Sequence, residues 1–127
     1  MEQLTHLLTS PTLVGRPMAV GHRKASVLLE TTSGMAVDEQ GLVHGGFVFG
    51  LADYAAMLAV NDPNVVLGSA DVRFLKPVKV GDLVTARAVV SESDGKKRVV
   101  EVTATVGGDD VLSGQMECFV LEEHVLS

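Results

Sequence analysis

Hydrophobic and polar positions alternate along much of the second half of the chain. Residues 84–90 and 100–106 each carry Val or Ala at every even position, with Thr, Arg or Glu at most positions between them. Leu112, Met116, Cys118 and Val120 continue the alternation. A period of two is typical of β-strands with one buried face, and glycine- and aspartate-containing turns separate the runs. The pattern predicts three or four antiparallel strands that close the chain as a meander, with further strands near residues 25–31 and 69–75.

A different pattern occupies residues 42–60, which are apolar on almost every side at helical spacing. A helix that is hydrophobic all round is buried on every side. Asn61-Asp62-Pro63 ends it, because the ring of proline cannot continue a helix. Gly50 lies in its middle, which indicates that something approaches the backbone closely there. We expect one α+β domain over residues 1–127, an antiparallel sheet with this long helix on one face, and a short extra helix over residues 2–9.

The composition of the chain limits the classes of partner and site that we expect. The chain has 127 residues, a net charge of −6 and one cysteine, Cys118. Because affinity for a phosphate backbone comes mainly from clustered Lys and Arg, we expect no nucleic-acid partner. The lone cysteine fits a reducing cytoplasm, and the first residues lack the pattern of a signal peptide. Since His44 and Asp53 interrupt the apolar run, we expect no membrane span, and the scattered histidines predict no metal site.

Asp53 is the first candidate for chemistry. Between Gln40 and Asn61 it is the only residue with a formal charge. Burying a lone carboxylate costs several kcal/mol unless it is paired or protonated, so its presence in the most apolar helix indicates a use. The alternative is a structural carboxylate satisfied by Arg73 or by a backbone donor.

Together with that acid, several motifs resemble the hotdog-fold acyl-CoA thioesterases of the phenylacetate-pathway type. They are His44-Gly45-Gly46, Leu51-Ala52-Asp53, Val72-Arg73-Phe74-Leu75-Lys76-Pro77 and Gly81-Asp82. The resemblance covers about residues 17–121. It implies a five- or six-stranded sheet wrapped around the helix, protomers that pair as dimers and often as tetramers, and hydrolysis without metal or cofactor. It also implies that Asp53 is the nucleophile or general base, and that backbone N–H groups near Gly45 and Gly46 polarise the thioester carbonyl.

The start of the helix suits that second role. A helix N-terminus offers unpaired N–H donors and a partial positive charge, and a glycine pair lets an oxygen approach them. The alternative is that the glycines only permit the turn into the helix. For His44, a backbone hydrogen bond at the helix start is favoured over a catalytic role.

One position departs from the family pattern. Several of these thioesterases carry an Asn six residues before the motif histidine, where this chain has Asp38. An ionised aspartate accepts hydrogen bonds but cannot donate one. The change leaves open a second acid, weakened activity or no thioesterase activity.

Candidates for substrate binding fall into two groups. Ser69, Asp71 and Arg73 share one strand face, although polar residues on an exposed face are more often solvated. Basic side chains that could meet the phosphates of CoA, with solvation as the alternative, form the second group. Its members are Lys76, Lys79, Lys96, Lys97 and Arg98.

The sequence therefore predicts an acyl-CoA thioesterase, with two alternatives: a non-catalytic acyl-CoA-binding or sensing protein, and a hotdog hydratase or dehydratase that pairs His44 with Asp53. Gly46 and Asp53 are seven residues apart, or roughly 10 Å along one helix at about 1.5 Å per residue. One scissile carbonyl cannot lie within about 3 Å of both. We therefore expect an obligate homodimer, and further a homotetramer, whose sites combine the helix start of one chain with the acid of the other.

Overall fold

The computed structural model describes all 127 residues, and its main feature is one six-stranded antiparallel sheet. The strands are β1 (Arg16–Gly21), β2 (Lys24–Glu30), β3 (Val65–Phe74), β4 (Leu83–Asp94), β5 (Lys97–Val106) and β6 (Asp109–Val120). Their order across the sheet is β1-β2-β4-β5-β6-β3. The predicted meander is therefore confirmed as β4, β5 and β6. The strands expected near residues 25–31 and 69–75 are confirmed as β2 and β3, whereas β1 was not anticipated.

Alternation places one face of the sheet against the core. Val84, Ala86 and Ala88 of β4 are buried, and the even-numbered residues of β5 from Val100 to Ala104 are buried opposite them. The odd-numbered Arg87 and Glu101 are exposed. The sheet is thus apolar on the side that meets the helix and polar on the other.

The long helix α2 runs from Gly45 to Val60, after a four-residue helix α1 (Pro11–Val14) and a 3₁₀ turn (Ser33–Met35). It begins at Gly45 instead of residue 42, because Leu42 and Val43 form isolated β-bridges with Lys79 and Ala36. At its other end Asn61 takes a left-handed conformation, and its N–H donates to the carbonyl of Met57. The expected helix boundary at Asn61 is confirmed.

Residues 2–9 form no helix, and that prediction was wrong. The segment is irregular, with a turn at residues 7–8, and it is held by side chains of α2 and its cap. Leu4 N–H donates to Asn61 Oδ1, Asn61 Nδ2 donates to the carbonyl of Glu2, and Gln3 Nε2 donates to the Tyr54 hydroxyl. These bonds satisfy the backbone without helical pairing, so the apolar pattern of the segment gives no helix.

Helix α2 packs mainly over β2, β4 and β5, and much less over β6 and β3. Nine of its residues between Val48 and Ala59 are buried, whereas Gly46, Gly50 and Asp53 share its least buried side. A Cβ atom added at Gly50 would meet nothing within 4 Å. The close approach expected at Gly50 is therefore absent within one chain. No helix in the structure has the length and hydropathy needed to cross a membrane.

Candidate functional site

The start of α2 is closed by its own N-cap residue. The Gly46 N–H donates to His44 Nδ1 at 2.8 Å, and the Phe47 N–H donates to the His44 carbonyl at 3.1 Å. The Gly45 N–H has no hydrogen-bond acceptor in the chain. Because its Nδ1 accepts a hydrogen bond, His44 acts as a cap. The Gly45 N–H is therefore free to donate to a ligand.

Asp38 lies in the exposed loop before the helix. Its Oδ1 accepts hydrogen bonds from the N–H of Gln40 at 3.0 Å and of Leu42 at 3.3 Å. Gly41 in the same loop has a φ of 85°, which favours glycine. The carboxylate therefore organises its own loop with one oxygen, and an asparagine could supply the same acceptor.

Asp53 has an oxygen with no partner. Its Oδ1 is buried and makes no hydrogen bond, and the carboxylate forms no salt bridge with Arg73 or any other cation. Burial raises the pKa of this carboxyl above its ordinary value of 3.8. The alternative, a structural carboxylate paired with Arg73, is therefore wrong. An orphaned acid in a half-buried position is typical of a functional group.

Cys118 on β6 lies close enough to Asp53 for the charge of the carboxylate to affect the pKa of the thiol. Burial, and secondarily the charge of Asp53, raise the pKa of the thiol to about 12. Such a thiol stays protonated at neutral pH and is a poor nucleophile. Cys118 therefore contributes packing beneath the acid.

The glycine pair and the acid are far apart on α2. The seven residues from Gly46 to Asp53 correspond to roughly 10 Å of helix, and His44 lies two residues further from the acid. One helix cannot bring both groups to one substrate atom. For the same reason, His44 and Asp53 of one chain cannot form the acid–base pair of a hydratase.

Ser69, Asp71 and Arg73 lie on the face of the sheet that points away from α2. In the β3–β6 register they stand opposite Glu117, Gln115 and Ser113, whereas the core residue Met116 stands opposite Ala70. Asp71 and Arg73 line a separate surface groove that includes Glu101 and Gln115. The structure does not bring these three residues to the helix start or to Asp53 of the same chain.

The basic candidates are split between the two ends of the sheet. Lys76 borders a cavity beside Gly45, and its Nζ lies 3.5 Å from Asp109 Oδ2. Lys79 is exposed nearby and forms no salt bridge. Lys96, Lys97 and Arg98 lie at the β4–β5 hairpin.

That hairpin is level with the C-terminal end of α2. Lys97 pairs in register with Phe119, next to the pairing of Val120 with Val65 at the start of β3. The guanidinium of Arg98 donates to the Gly95 carbonyl at 2.7 Å, and Lys97 Nζ lies 3.8 Å from Glu117. The hairpin cations therefore lie at the end of the molecule opposite the helix start of their own chain.

The structure adds a feature that sequence reasoning missed, a cavity of about 320 Å³ beside the helix start. We call it the valine slot. Four valines with 3–5% exposure form its inner wall, and Gly45 lines one side. Phe74, Leu75, Lys76 and Pro77 border its opening. The valines are Val43, Val48, Val78 and Val111. The sequence signal that could have indicated this cavity is the pair of large apolar side chains, Phe74 and Leu75, at the end of β3.

Solved structures similar to this chain have the same architecture. An uncharacterized protein, PH1136 from Pyrococcus horikoshii, is 59% identical, with a TM-score of 0.99 over 100% of this chain and 98% of that one. A point mutant of the phenylacetic acid degradation protein PaaI from Thermus thermophilus is 29% identical. Its TM-score is 0.79, over 86% of this chain and 95% of that one. The resemblance to phenylacetate-pathway proteins is confirmed.

Curated relatives are longer proteins that this chain matches in part. It is 53% identical over 115 residues to methylthioribose-1-phosphate isomerase of Aquifex aeolicus, covering 91% of this chain and 25% of that protein. It is 30% identical over 109 residues to transcription factor FapR of Caldanaerobacter subterraneus, covering 86% of this chain and 54% of that protein. The chain thus spans a quarter to about half of their length. The family model of the thioesterase superfamily matches residues 40–113. The chain therefore belongs to the thioesterase superfamily and has its hotdog fold.

Proposed function

We propose that this protein is an acyl-CoA thioesterase, which hydrolyses a thioester to a carboxylate and free CoA. The observation that carries the proposal is Asp53, whose buried Oδ1 has no partner and whose side of α2 is the least covered. Membership of the thioesterase superfamily supports it. So does the likeness to PaaI from Thermus thermophilus, which is named a phenylacetic acid degradation protein.

In the proposed reaction, Asp53 acts on the thioester carbonyl carbon as a nucleophile or through water. As general base it takes a proton from water, and the resulting hydroxide adds to the carbonyl carbon. The C–S bond then breaks, and the departing CoA sulfur takes the proton that Asp53 had accepted, which restores the carboxylate. The raised pKa of Asp53 makes it a stronger base than an exposed carboxylate. Developing charge on the carbonyl oxygen is stabilised by the free Gly45 N–H and the positive end of α2.

Each site takes its two halves from two protomers. The helix start and the acid of one chain are roughly 10 Å apart. Two α2 helices running antiparallel about a two-fold axis bring the Gly45 end of one chain to Asp53 of its partner. The same pairing covers the side of α2 at Gly46 and Gly50, and it brings the hairpin cations of one chain toward the helix start of the other. The proposed unit is a homodimer with two shared sites, further paired into a tetramer.

Release of free thiol from acyl-CoA substrates tests the proposed activity. Asp53→Asn and Asp53→Ala should abolish release while the fold stays intact. Full hydrolytic activity of Asp53→Ala would contradict the assignment. The exposed Asp71 on the outer face of the sheet gives a matched control, and Asp71→Ala should keep activity.

Mixed dimers test the shared site. Gly46→Val blocks the helix start, because a Cβ atom there would lie 2.9 Å from His44 Nδ1. Mixing inactive Asp53→Ala chains with inactive Gly46→Val chains should restore one working site per mixed dimer. An active monomer would refute the shared site, as would no rescue from a mixed dimer shown to form.

A second candidate is a protein that binds acyl-CoA without hydrolysing it. The matched relatives named FapR are transcription factors, so related chains serve in proteins whose named role is not catalysis. Asp38, in place of the family's Asn, is the feature of this chain that favours the alternative. Tight acyl-CoA binding without thiol release would select it.

A further inference from the structure

The valine slot lies directly beside an unpaired donor of the helix start, the Gly45 N–H. Gly45 lines the slot, and a Cβ atom at Gly45 would lie 3.3 Å from the ring of Phe74, so the aromatic ring sits against the glycine backbone. Of the nine lining residues, only Lys76 is charged. Its ammonium group is at the opening and already faces Asp109. The interior therefore presents apolar surface and no counter-charge.

We propose that the valine slot receives the acyl group of the thioester, and that Val48 and Val111 set the longest acyl chain accepted. This inference rests on the proposed function for the identity of the ligand. A carbonyl oxygen at the Gly45 N–H leaves two substituents on the carbonyl carbon, the acyl group and the CoA sulfur. The CoA arm is polar and ends in phosphates that stay in water, so it cannot occupy an apolar slot of about 320 Å³. The acyl group is the substituent that gains from burial there.

Volume and charge define the acyl class. Liquid water takes about 30 Å³ per molecule and a methylene takes a similar volume, so the slot holds on the order of ten carbon atoms. Acyl groups with a terminal carboxylate are excluded, because a buried carboxylate would find no cation or donor among the valines. The slot therefore selects uncharged acyl groups of short to medium length.

Chain-length dependence of binding tests this directly. The probes are non-hydrolysable thioether analogues of acyl-CoA with saturated chains of four to sixteen carbons, titrated calorimetrically into the whole chain. Each methylene that enters the slot should tighten binding about fourfold, until added carbons no longer fit and the gain stops. The succinyl analogue should bind at least about tenfold more weakly than the butyryl analogue, since its carboxylate stays unpaired.

Variants of the inner wall should move that limit. Val48→Ala and Val111→Ala each remove methyl groups from the buried inner wall, and both should shift the limit to longer chains. Val27→Ala is the matched control, because Val27 is equally buried but does not line the slot. Phe74→Ala, at an exposed position, tests the opening without perturbing the core, and it should weaken binding of every chain length.

The results separate this inference from the proposed activity. A limit that moves in both slot variants and stays fixed in Val27→Ala supports the slot, even if native thioesters release no thiol. An unchanged limit in the folded Val48→Ala/Val111→Ala double variant overturns it, even if hydrolysis is observed. Unchanged binding in Phe74→Ala, or binding that is independent of chain length, overturns it as well.

Discussion

Asp53→Ala should make the protein more stable while removing its activity. In the folded chain, Asp53 Oδ1 is buried and has no hydrogen-bond partner. An unsatisfied buried polar group costs about 1–3 kcal/mol, and alanine is a better helix former than aspartate by up to ~0.7 kcal/mol. Loss of the packing of the carboxyl carbon, which is about the size of one methylene, offsets about 0.8 kcal/mol. The expected net gain in the free energy of unfolding at pH 7 is about 1–3 kcal/mol.

The size of this gain should depend on pH in a defined direction. Burial raises the folded-state pKa of Asp53, so between its ordinary value of 3.8 and the raised value the folded state binds more protons than the unfolded state. Wild-type stability therefore falls as pH rises through that window, and it is flat above it with respect to this group. The alanine variant has no such dependence. Its advantage should be largest above the folded pKa and should shrink as pH falls toward 3.8.

Urea and thermal unfolding of the wild type, Asp53→Asn and Asp53→Ala at several pH values measure this difference. With an unfolding entropy of about 2.1 cal/mol/K per residue, each kcal/mol shifts Tm by about 4 °C in a chain of this length. Asp71→Ala, an exposed substitution, should stay within about 0.5 kcal/mol of the wild type. A loss of stability in Asp53→Ala at pH 7, with the control unchanged, would show that the carboxylate is structurally paired and would refute the reasoning.

Substitutions at three further positions test the surroundings of the site. Asp38→Asn keeps the acceptor oxygen of the loop, so thiol release should be kept or raised, and a large loss would show that the carboxylate itself is needed. His44→Ala removes the acceptor of the Gly46 N–H and should lower the urea-unfolding free energy by about 1 kcal/mol, whereas His44→Asn should retain most of it. Gly50→Ala meets open space in one chain and should stabilise the helix by about 0.5–1 kcal/mol. Because the proposed dimer covers α2 at Gly50, the same methyl group should weaken the dimer in sedimentation, and unchanged dimerisation would contradict that pairing.

The sequence predicted those parts of the fold that rest on local periodicity. The alternation in β4, β5 and β6 reflects burial of one face, so it is readable without tertiary information. The helix predicted over residues 2–9 is absent because the segment is anchored by hydrogen bonds to Asn61 and Tyr54, more than fifty residues away. Strand β1 was missed because Arg16–Gly21 is an edge strand that buries no residue, and its alternation is correspondingly weak.

The residues of the candidate site likewise differ in whether local sequence alone identifies them. Asp53 is recognisable from sequence because a lone acid in an apolar helix violates the local pattern, and such violations mark function. Ser69, Asp71 and Arg73 look equally chemical in sequence, yet register alone decides their face, and the irregularity between Leu67 and Ser69 changes the alternation of β3 just before them. The valine slot is formed by three separate segments, residues 43–48, residues 74–78 and Val111, and no single stretch identifies it. The separation of the glycine pair from the acid could be predicted from the sequence, because it depends only on helix geometry. The structure keeps that separation, and it is the reason that the proposed site needs a second chain.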